Sequence, residues 1–536
     1  MTTGVVTADR GAAPSLPRFM VPMLGMTAGI QTLDPMIATV ALVSASKTLG
    51  FSAATLALAS GISTLALVAT VIPTGLLADR LGRRRVLMAA LAVAALGDVI
   101  AALSTDQWMF LIGRAVAGVG LGAVFGAAFA FVAAVGSERL GAALGLFGAM
   151  VGITTLGGAF LGGVLASVNW RIAFGVVPVL CVITFVLTPR FTPVAPRVAG
   201  HKPDIPGMVL LAVGTVGILF GISNASASLV APRTWAPIVI GVAALGAFTV
   251  VENRSQFPAF PVGLFRSPVF LAATFAGLAW NGAQSAAVLQ LSNLWQYIDH
   301  YSTVAVSLGE LPFSILAIGG ALLAGRRLGR GTRPRRVLAV AFGCMVVGFG
   351  TLGLIRVGSG YVAFLPALVL IGAGAAGASV PQGQLYMSQA PPDHFGPVTS
   401  SRLTSGQFGY ALGLACTSVL VSSLTFHGVT SRLLAAGVPP SQVGEGLDAI
   451  TSFVNTGQEP GTTAGQLALS GAKVSYLHAF NTTMLVVAAL IAVAGVASLV
   501  LLRPARAASP GTAAASHRRL VHRGPGARPG PAGGHQ

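Results

Sequence analysis

Asp34, Asp98 and Glu310 are the acidic residues that stand clearly inside long apolar runs of this 536-residue chain, and Arg114 is a basic residue that does the same. Ionised side chains in such a setting are costly, so they pair, face a polar interior, or trade protons and cationic ligands. Asp34 lies in "QTLDPMIATVAL", Gln31 to Leu42, and is followed at once by Pro35. Proline has no N–H to donate, which frees the carbonyl of Gln31 and favours a kink beside the carboxylate. The plainer reading is an ordinary kink filled by neighbouring helices. The chemistry on offer is exchange of a proton or a cation rather than bond making. No nucleophile–base set, metal-ligating His/Cys cluster or GxxxxGK[ST] loop occurs, so the sequence points away from an enzyme and calls for no cofactor or metal.

The elements that must hold these residues are membrane spans. The chain is 54% hydrophobic and only 9% charged, with a mean hydropathy of +0.81. Repeated runs of about 20 apolar residues at that composition mean an all-α polytopic membrane protein. The runs predict helices near 20–44, 55–78, 86–103, 109–132, 142–167 and 172–187, then two shorter ones near 208–222 and 237–251. Six more follow near 269–295, 304–324, 337–355, 362–386, 401–424 and 476–502, making fourteen transmembrane spans. Cys181, Cys344 and Cys416 lie far apart in apolar runs and read as small hydrophobes.

The net charge of +18 suggests nucleic acid until the basic residues are placed. With a cytoplasmic N-terminus, the inner segments hold Arg80, Arg83 to Arg85, Arg139, Arg190, Arg254, Arg266, the cluster from Arg326 to Arg336, Arg402 and the tail arginines. The outer segments hold only Lys47, Arg171, Arg233, Arg356, Arg432 and Lys473. The positive-inside rule therefore supports an even span count, both termini inside, and a multi-pass protein of the cell membrane. The basic loops meet the anionic leaflet, and no nucleic-acid partner is needed. Residues 1–19 read as a cytoplasmic N-terminus, 20–187 as a six-helix bundle and 188–268 as a linker with two extra spans. Residues 269–502 read as a second six-helix bundle with a long outer loop at 425–475, and 503–536 as a disordered basic tail.

Depth can be estimated from helix rise. Asp34 lies roughly 21 Å from the inner end of its span and Arg114 ~8 Å below the outer face, at ~1.5 Å per residue. In a core about 30 Å thick those levels nearly coincide, so the two residues can pair. Pairing would hold the carboxylate ionised until a proton or cationic substrate competes for it, and a purely structural ion pair is the alternative. Asp98 and Glu310 stand as further candidates for a cation or proton site.

"GLLADRLGRRR", Gly75 to Arg85, joins the second and third spans; Gly75, Asp79, Arg80, Gly82 and Arg83 carry its pattern. "FLIGRAVAGVGLG" (Phe110 to Gly122), "GLFGAMVGITTLGGAFLGG" (Gly145 to Gly163), "NWRIAF" (Asn169 to Phe174), "PVGLFRSPVF" (Pro261 to Phe270) and "GPVTSSRLTSGQFGYALG" (Gly396 to Gly413) follow in order. Together with "LDPMIATVAL" these resemble the motifs of the major facilitator superfamily, and within it the fourteen-span drug:proton antiporters. The resemblance implies two six-helix major-facilitator bundles plus two inserted helices, and an inner-loop gate at Gly75, Asp79, Arg80, Gly82 and Arg83. It also implies an antiporter-type glycine motif at Gly145, Gly158, Gly162 and Gly163. Ala159, Thr154, Ala117, Pro35 and Met36 depart from the family pattern. "LLADRLGRRR" (Leu76 to Arg85) recurs loosely as "LLAGRRLGRG" (Leu322 to Gly331), with Gly325 in place of the aspartate.

Gly158, Gly162 and Gly163 have small-xxx-small spacing, which serves either a generic packing seam or gating. Trp280, Gln284 and Gln407 suit the lining of a cavity for an amphipathic ligand, or hydrogen-bonded contacts between helices. The expected function is proton-coupled export of amphipathic organic compounds, drugs or antibiotics, by a monomer rocking around a central cavity. A dedicated exporter of one endogenous metabolite, a membrane sensor and a lipid-handling protein are the alternatives.

Overall fold

A computed structural model describes residues 19–51, 53–132, 135, 137–193, 205–225, 230–255, 260–299, 301–391, 395–456 and 461–503. The N-terminal segment through Arg18, most of the tail, and Arg197 and Lys202 lie outside the described residues. The first bundle comprises α1 (Met20–Leu49), α2 (Ala53–Leu81), α3 (Arg83–Ala102), α4 (Gln107–Val132), α5 (Ser137–Val168), α6 (Trp170–Phe174) and α7 (Val176–Phe191). Then come α8 (Ile205–Ala225) and α9 (Pro232–Arg254). The second bundle has α10 (Pro268–Tyr297), α11 (Thr303–Gly309), α12 (Leu311–Gly329), α13 (Pro334–Leu352), α14 (Leu365–Gln389), α15 (Phe395–Ala435) and α17 (Thr463–Leu501), with α16 (Pro440–Thr456) between the last two. No strand occurs among the described residues.

A chain this apolar satisfies its backbone polar groups within each segment, which in lipid leaves the helix as the workable element. Local sequence sets the ends. Proline occupies the first turn of α9, α10, α12, α13 and α14, where its missing N–H has no helical partner to lose. Gly82, at φ +99°, makes the sharp turn from α2 into α3. α1 continues through Pro35 without a break in helix. Each of the fourteen expected helices is present. Twelve of the described helical rods are long and apolar enough to cross a membrane, counting α6 with α7 and α11 with α12 as single rods. α1 and α10, at 30 residues each, match them in length.

α8 and α9 pack tightly on each other, and α8 leans on α2 and α15, one helix from each bundle. The bundles meet along two seams, α2 against α15 and α5 against α12, at the end that carries the basic loops.

Two stretches carry more helix than the apolar runs alone predict. Within 425–475, the expected outer loop, the described residues hold the end of α15 to Ala435, all of α16 and the start of α17. α15 has 41 residues, which at ~1.5 Å per residue is about twice the apolar thickness of a bilayer. Its far end packs with α16 and the start of α17 around Val429, Leu433, Val438, Ala464 and Ala468. The i, i+4 pair Val429 and Leu433 continues the apolar face beyond a run that Ser, Thr and His interrupt. Second, α15 begins at Phe395 rather than near 401, so Arg402, counted with the inner segments, stands about two turns inside the helix. The polar run from Thr399 to Ser405 helped to hide that helix start; its small hydroxyls bond back to their own backbone, as at Thr399, Ser401 and Ser405.

Candidate functional site

Glycines on α3, α4 and α5 set the site by letting neighbouring helices close on it. A Cβ at Gly97 of α3 would stand 2.2 Å from the Ala117 nitrogen, and one at Gly118 would stand 2.1 Å from the Ser63 oxygen of α2. From α5, Gly158 and Gly162 press against the side chains of Leu33 and Ile37, the residues that flank Asp34 on α1. Close backbone approach of this kind is what small residues give helices in lipid. Gly163 faces open space instead.

The result is a buried cluster of one arginine and two carboxylates. Arg114 donates to both oxygens of Asp34, Nη1 to Oδ1 at 2.5 Å and Nη2 to Oδ2 at 2.9 Å. Nη1 also donates to Asp98 Oδ1 at 2.9 Å, and Ser63 Oγ donates to Asp34 Oδ2 at 3.0 Å. Asp34 and Asp98 are 0% exposed and Arg114 2%. Asp34 is therefore fully engaged, whereas Asp98 Oδ2 is buried with no hydrogen-bond partner. With both acids ionised, the cluster is one positive charge short of neutral. An uncompensated charge at that burial is expensive, and one proton removes it.

Phe174 and Phe110 cover the cluster on the side away from the basic loops. The Arg114 guanidinium lies 5.2 Å from the Phe174 ring centre, and Phe110, one turn along α4, packs edge-on against Phe174 at 5.5 Å. The "NWR" motif anchors that cover: Asn169 caps α6 by accepting from Arg171 N, and Trp170 packs on Phe110. Arg171 in turn donates to the carbonyls of Ala102 and Ser104 beyond the end of α3.

Sequence depth alone placed Asp34 level with Arg114 but left Asp98 apart. The signal was available: Asp98 lies four residues before the end of α3 and Arg114 seven after the start of α4, so an α3–α4 hairpin sets them at similar depth. Gly97→Ala tests the geometry. A Cβ there has no room against α4 backbone, so stability should fall by about 1–3 kcal/mol, read as an earlier thermal unfolding in detergent. Gly157→Ala, whose Cβ meets open space, should unfold with the parent protein.

The basic-loop motif closes the α2–α15 seam. Asp79 Oδ2 accepts from the Gly396 N–H at 2.5 Å, in the first turn of α15, and Arg83 bonds Asp79 Oδ1 and the Ala130 carbonyl. A carboxylate at a helix N-terminus is favoured by the unpaired N–H groups and the dipole. Gly75 packs backbone to backbone on Gly396, and Arg80 stands half-buried beside this lock. At the other seam, Gly145 of α5 meets Gly325 of α12, a Cβ on either standing under 3 Å from the other's Cα. The internal echo thus has a structural sense: where the first copy has Asp79, the second has Gly325, and a bare backbone approach replaces a carboxylate bond.

Glu310 is not part of the cluster. It sits in the second bundle between α11 and α12, with Oε1 buried and unbonded, near Tyr410 of α15. Trp280 donates to Gln382 at 2.9 Å, while Gln284 and Gln407 are half-buried with side chains that make no hydrogen bond among the described residues. No group of His, Cys, Asp and Glu with metal-binding geometry occurs among the described residues.

The comparisons with known proteins agree on one family. The puromycin resistance protein pur8 of Streptomyces alboniger is 28% identical over 428 residues, covering 77% of this chain and 83% of its own. The cephamycin export protein CmcT of Amycolatopsis lactamdurans is 30% identical over 404 residues, covering 73% and 82%. A multidrug resistance protein B homolog of Mycobacterium tuberculosis is 27% identical over 394 residues, covering 71% and 72%. Among solved structures, the human organic anion transporter MFSD10 (TETRAN) aligns over 88% of this chain and 98% of its own at a TM-score of 0.55 and 15% identity, a likeness of fold alone. Residues 24–414 match the model of the Major Facilitator Superfamily, and with paired helical bundles and the basic-loop lock in place this chain belongs to that superfamily of membrane transporters.

Proposed function

We propose that the protein is a proton-coupled exporter of amphipathic organic compounds, drugs or antibiotics among them, working by alternating access in the cell membrane. The observation that carries this reading is the buried Asp34–Arg114–Asp98 cluster, one positive charge short of neutral. A proton taken up at Asp98 balances it, and loss of that proton restores the imbalance, so the packing of α1, α3 and α4 responds to protonation. The glycine contacts carry such a change to α5, which forms a seam with α12, and through α2 to the Asp79–Gly396 lock. The names of the relatives, puromycin resistance, cephamycin export and multidrug resistance, support cargo of this class. α1 and α10 complete fourteen spans with the basic loops and both termini in the cytoplasm, so the closed seams face inward. The transporter functions as a monomer. Its partners are cargo, protons and lipid, and it needs no cofactor.

The decisive experiment uses proteoliposomes holding the purified protein under an imposed pH gradient. A cationic dye should accumulate against its gradient, cargo should provoke counterflow of protons, and a protonophore should abolish both. Accumulation indifferent to the protonophore would overturn proton coupling. A dedicated exporter of one endogenous metabolite is the second reading, favoured by the puromycin and cephamycin relatives; protection of cells against one compound in a broad panel, rather than many, would select it.

A further inference from the structure

Arg402 is a charged residue that the coupling cluster and the inner lock leave unexplained. It stands on α15 about two turns from Phe395, where α15 faces α4 and α14 at the junction of the two bundles. Its guanidinium lies 4.8 Å from the Phe129 ring centre and 5.8 Å from that of Phe125, both on α4 of the first bundle. Gly383 of α14 lies against the same pair, a Cβ there standing 3.1 Å from Phe129 Cζ and 3.7 Å from Arg402 Nε. Nε itself is buried with no acceptor, and no carboxylate among the described residues pairs with the group. The acid at this end, Asp79, is already bonded to Arg83 and to the Gly396 N–H.

A guanidinium has five donors in a rigid fork, matched to carboxylate, sulfonate or phosphate oxygens. Two aromatic faces stabilise the cation but supply no acceptor for those donors. A charge inside a membrane protein without a partner marks a ligand or ion path by default. Beside it, a polar chain joins the helices of the second bundle. Trp280 donates to Gln382, Gln382 to Ser405 at 3.4 Å, and Tyr386 OH to Ser405 at 3.2 Å.

We infer that Arg402 anchors the acidic group of an amphipathic cargo, with Phe125 and Phe129 holding its apolar body against the first bundle. The inference rests on the export reading and extends it: organic acids and zwitterions join the cargo, bound at a site separate from the Asp34–Arg114–Asp98 cluster. Because Phe125 and Phe129 lie on one bundle and Arg402 on the other, a bound acid bridges the two parts that must move.

Binding measured without flux tests this independently of export. Purified protein in nanodiscs is titrated with carboxyfluorescein and with rhodamine 6G, dyes sharing a xanthene core but opposite in charge. Arg402→Gln should weaken carboxyfluorescein by roughly tenfold or more and leave rhodamine 6G within about twofold. Arg402→Lys should bind the acid at intermediate strength, a point charge without the fork. Carboxyfluorescein binding unchanged in Arg402→Gln would overturn the inference, as would equal loss of both dyes, which marks a structural brace. Should Arg402→Gln fail to fold, Arg402→Lys and competition by sulfate on the parent protein decide: no competition and no loss in the lysine variant also overturn it.

Discussion

Arg114→Gln should be among the most damaging single substitutions in the chain, lowering stability by about 3–5 kcal/mol, the cost of removing one partner from a buried ion pair. The parent cluster sets two carboxylates that are 0% exposed against one guanidinium. Glutamine removes that charge and most of the donors at once, and leaves both acids facing each other with the neutral donors of the new amide and of Ser63. Phe174 also loses the cation stacked on it. The expected result is early thermal unfolding in detergent and little protein in the membrane. The triple variant Arg114→Gln, Asp34→Asn, Asp98→Asn separates charge from shape. It keeps three polar side chains of similar size with no net charge, so most of the lost stability should return while pH-driven transport stays absent. A triple variant that unfolds as early as the single one would show that the bidentate geometry, and not the charge balance, holds α1, α3 and α4 together.

What the sequence made legible here follows from what helix geometry converts directly. Apolar run lengths give helices, basic loops give sidedness, and a fixed rise turns position along a run into depth, which is why Asp34 and Arg114 could be set at one level. Rotation about the helix axis is not encoded so simply. Whether Asp98 faces Arg114 or lipid depends on the α3–α4 contact, and that contact is set by Gly97 and Gly120, whose small size is visible but whose partner backbone is not. The same limit hid Arg402. In the sequence it reads as an arginine at the inner end of a span, and only the start of α15 at Phe395 and the rings of α4 give it a half-buried setting against aromatic faces. Glu310 shows the reverse case, an acid at membrane depth that tertiary packing keeps away from the other two.

Asp98→Asn and Asp34→Asn should then divide the work of the cluster between proton and scaffold. Asparagine at position 98 can still accept from Arg114 through its oxygen, and what remains is the neutral, bidentate Asp34–Arg114 pair. That variant imitates the proton-loaded cluster permanently, so it should fold with the parent protein and exchange cargo down a gradient. It should no longer convert a pH gradient into a cargo gradient. One proton crossing one pH unit carries about 1.4 kcal/mol, enough to hold an uncharged cargo at a roughly tenfold ratio. In Asp98→Asn that ratio should fall to one. Asp34→Asn keeps one acceptor oxygen but loses the bidentate pairing and the negative charge, and leaves Arg114 and Ser63 to share that oxygen, so it should be destabilised as well, by about 1.5–3 kcal/mol. Steady-state cargo ratios in proteoliposomes, measured beside unfolding temperatures, give both readouts from one preparation. If Asp98→Asn still holds a tenfold cargo ratio across one pH unit while Asp34→Asn holds none, the proton belongs to Asp34, and the unbonded oxygen of Asp98 plays no part in coupling.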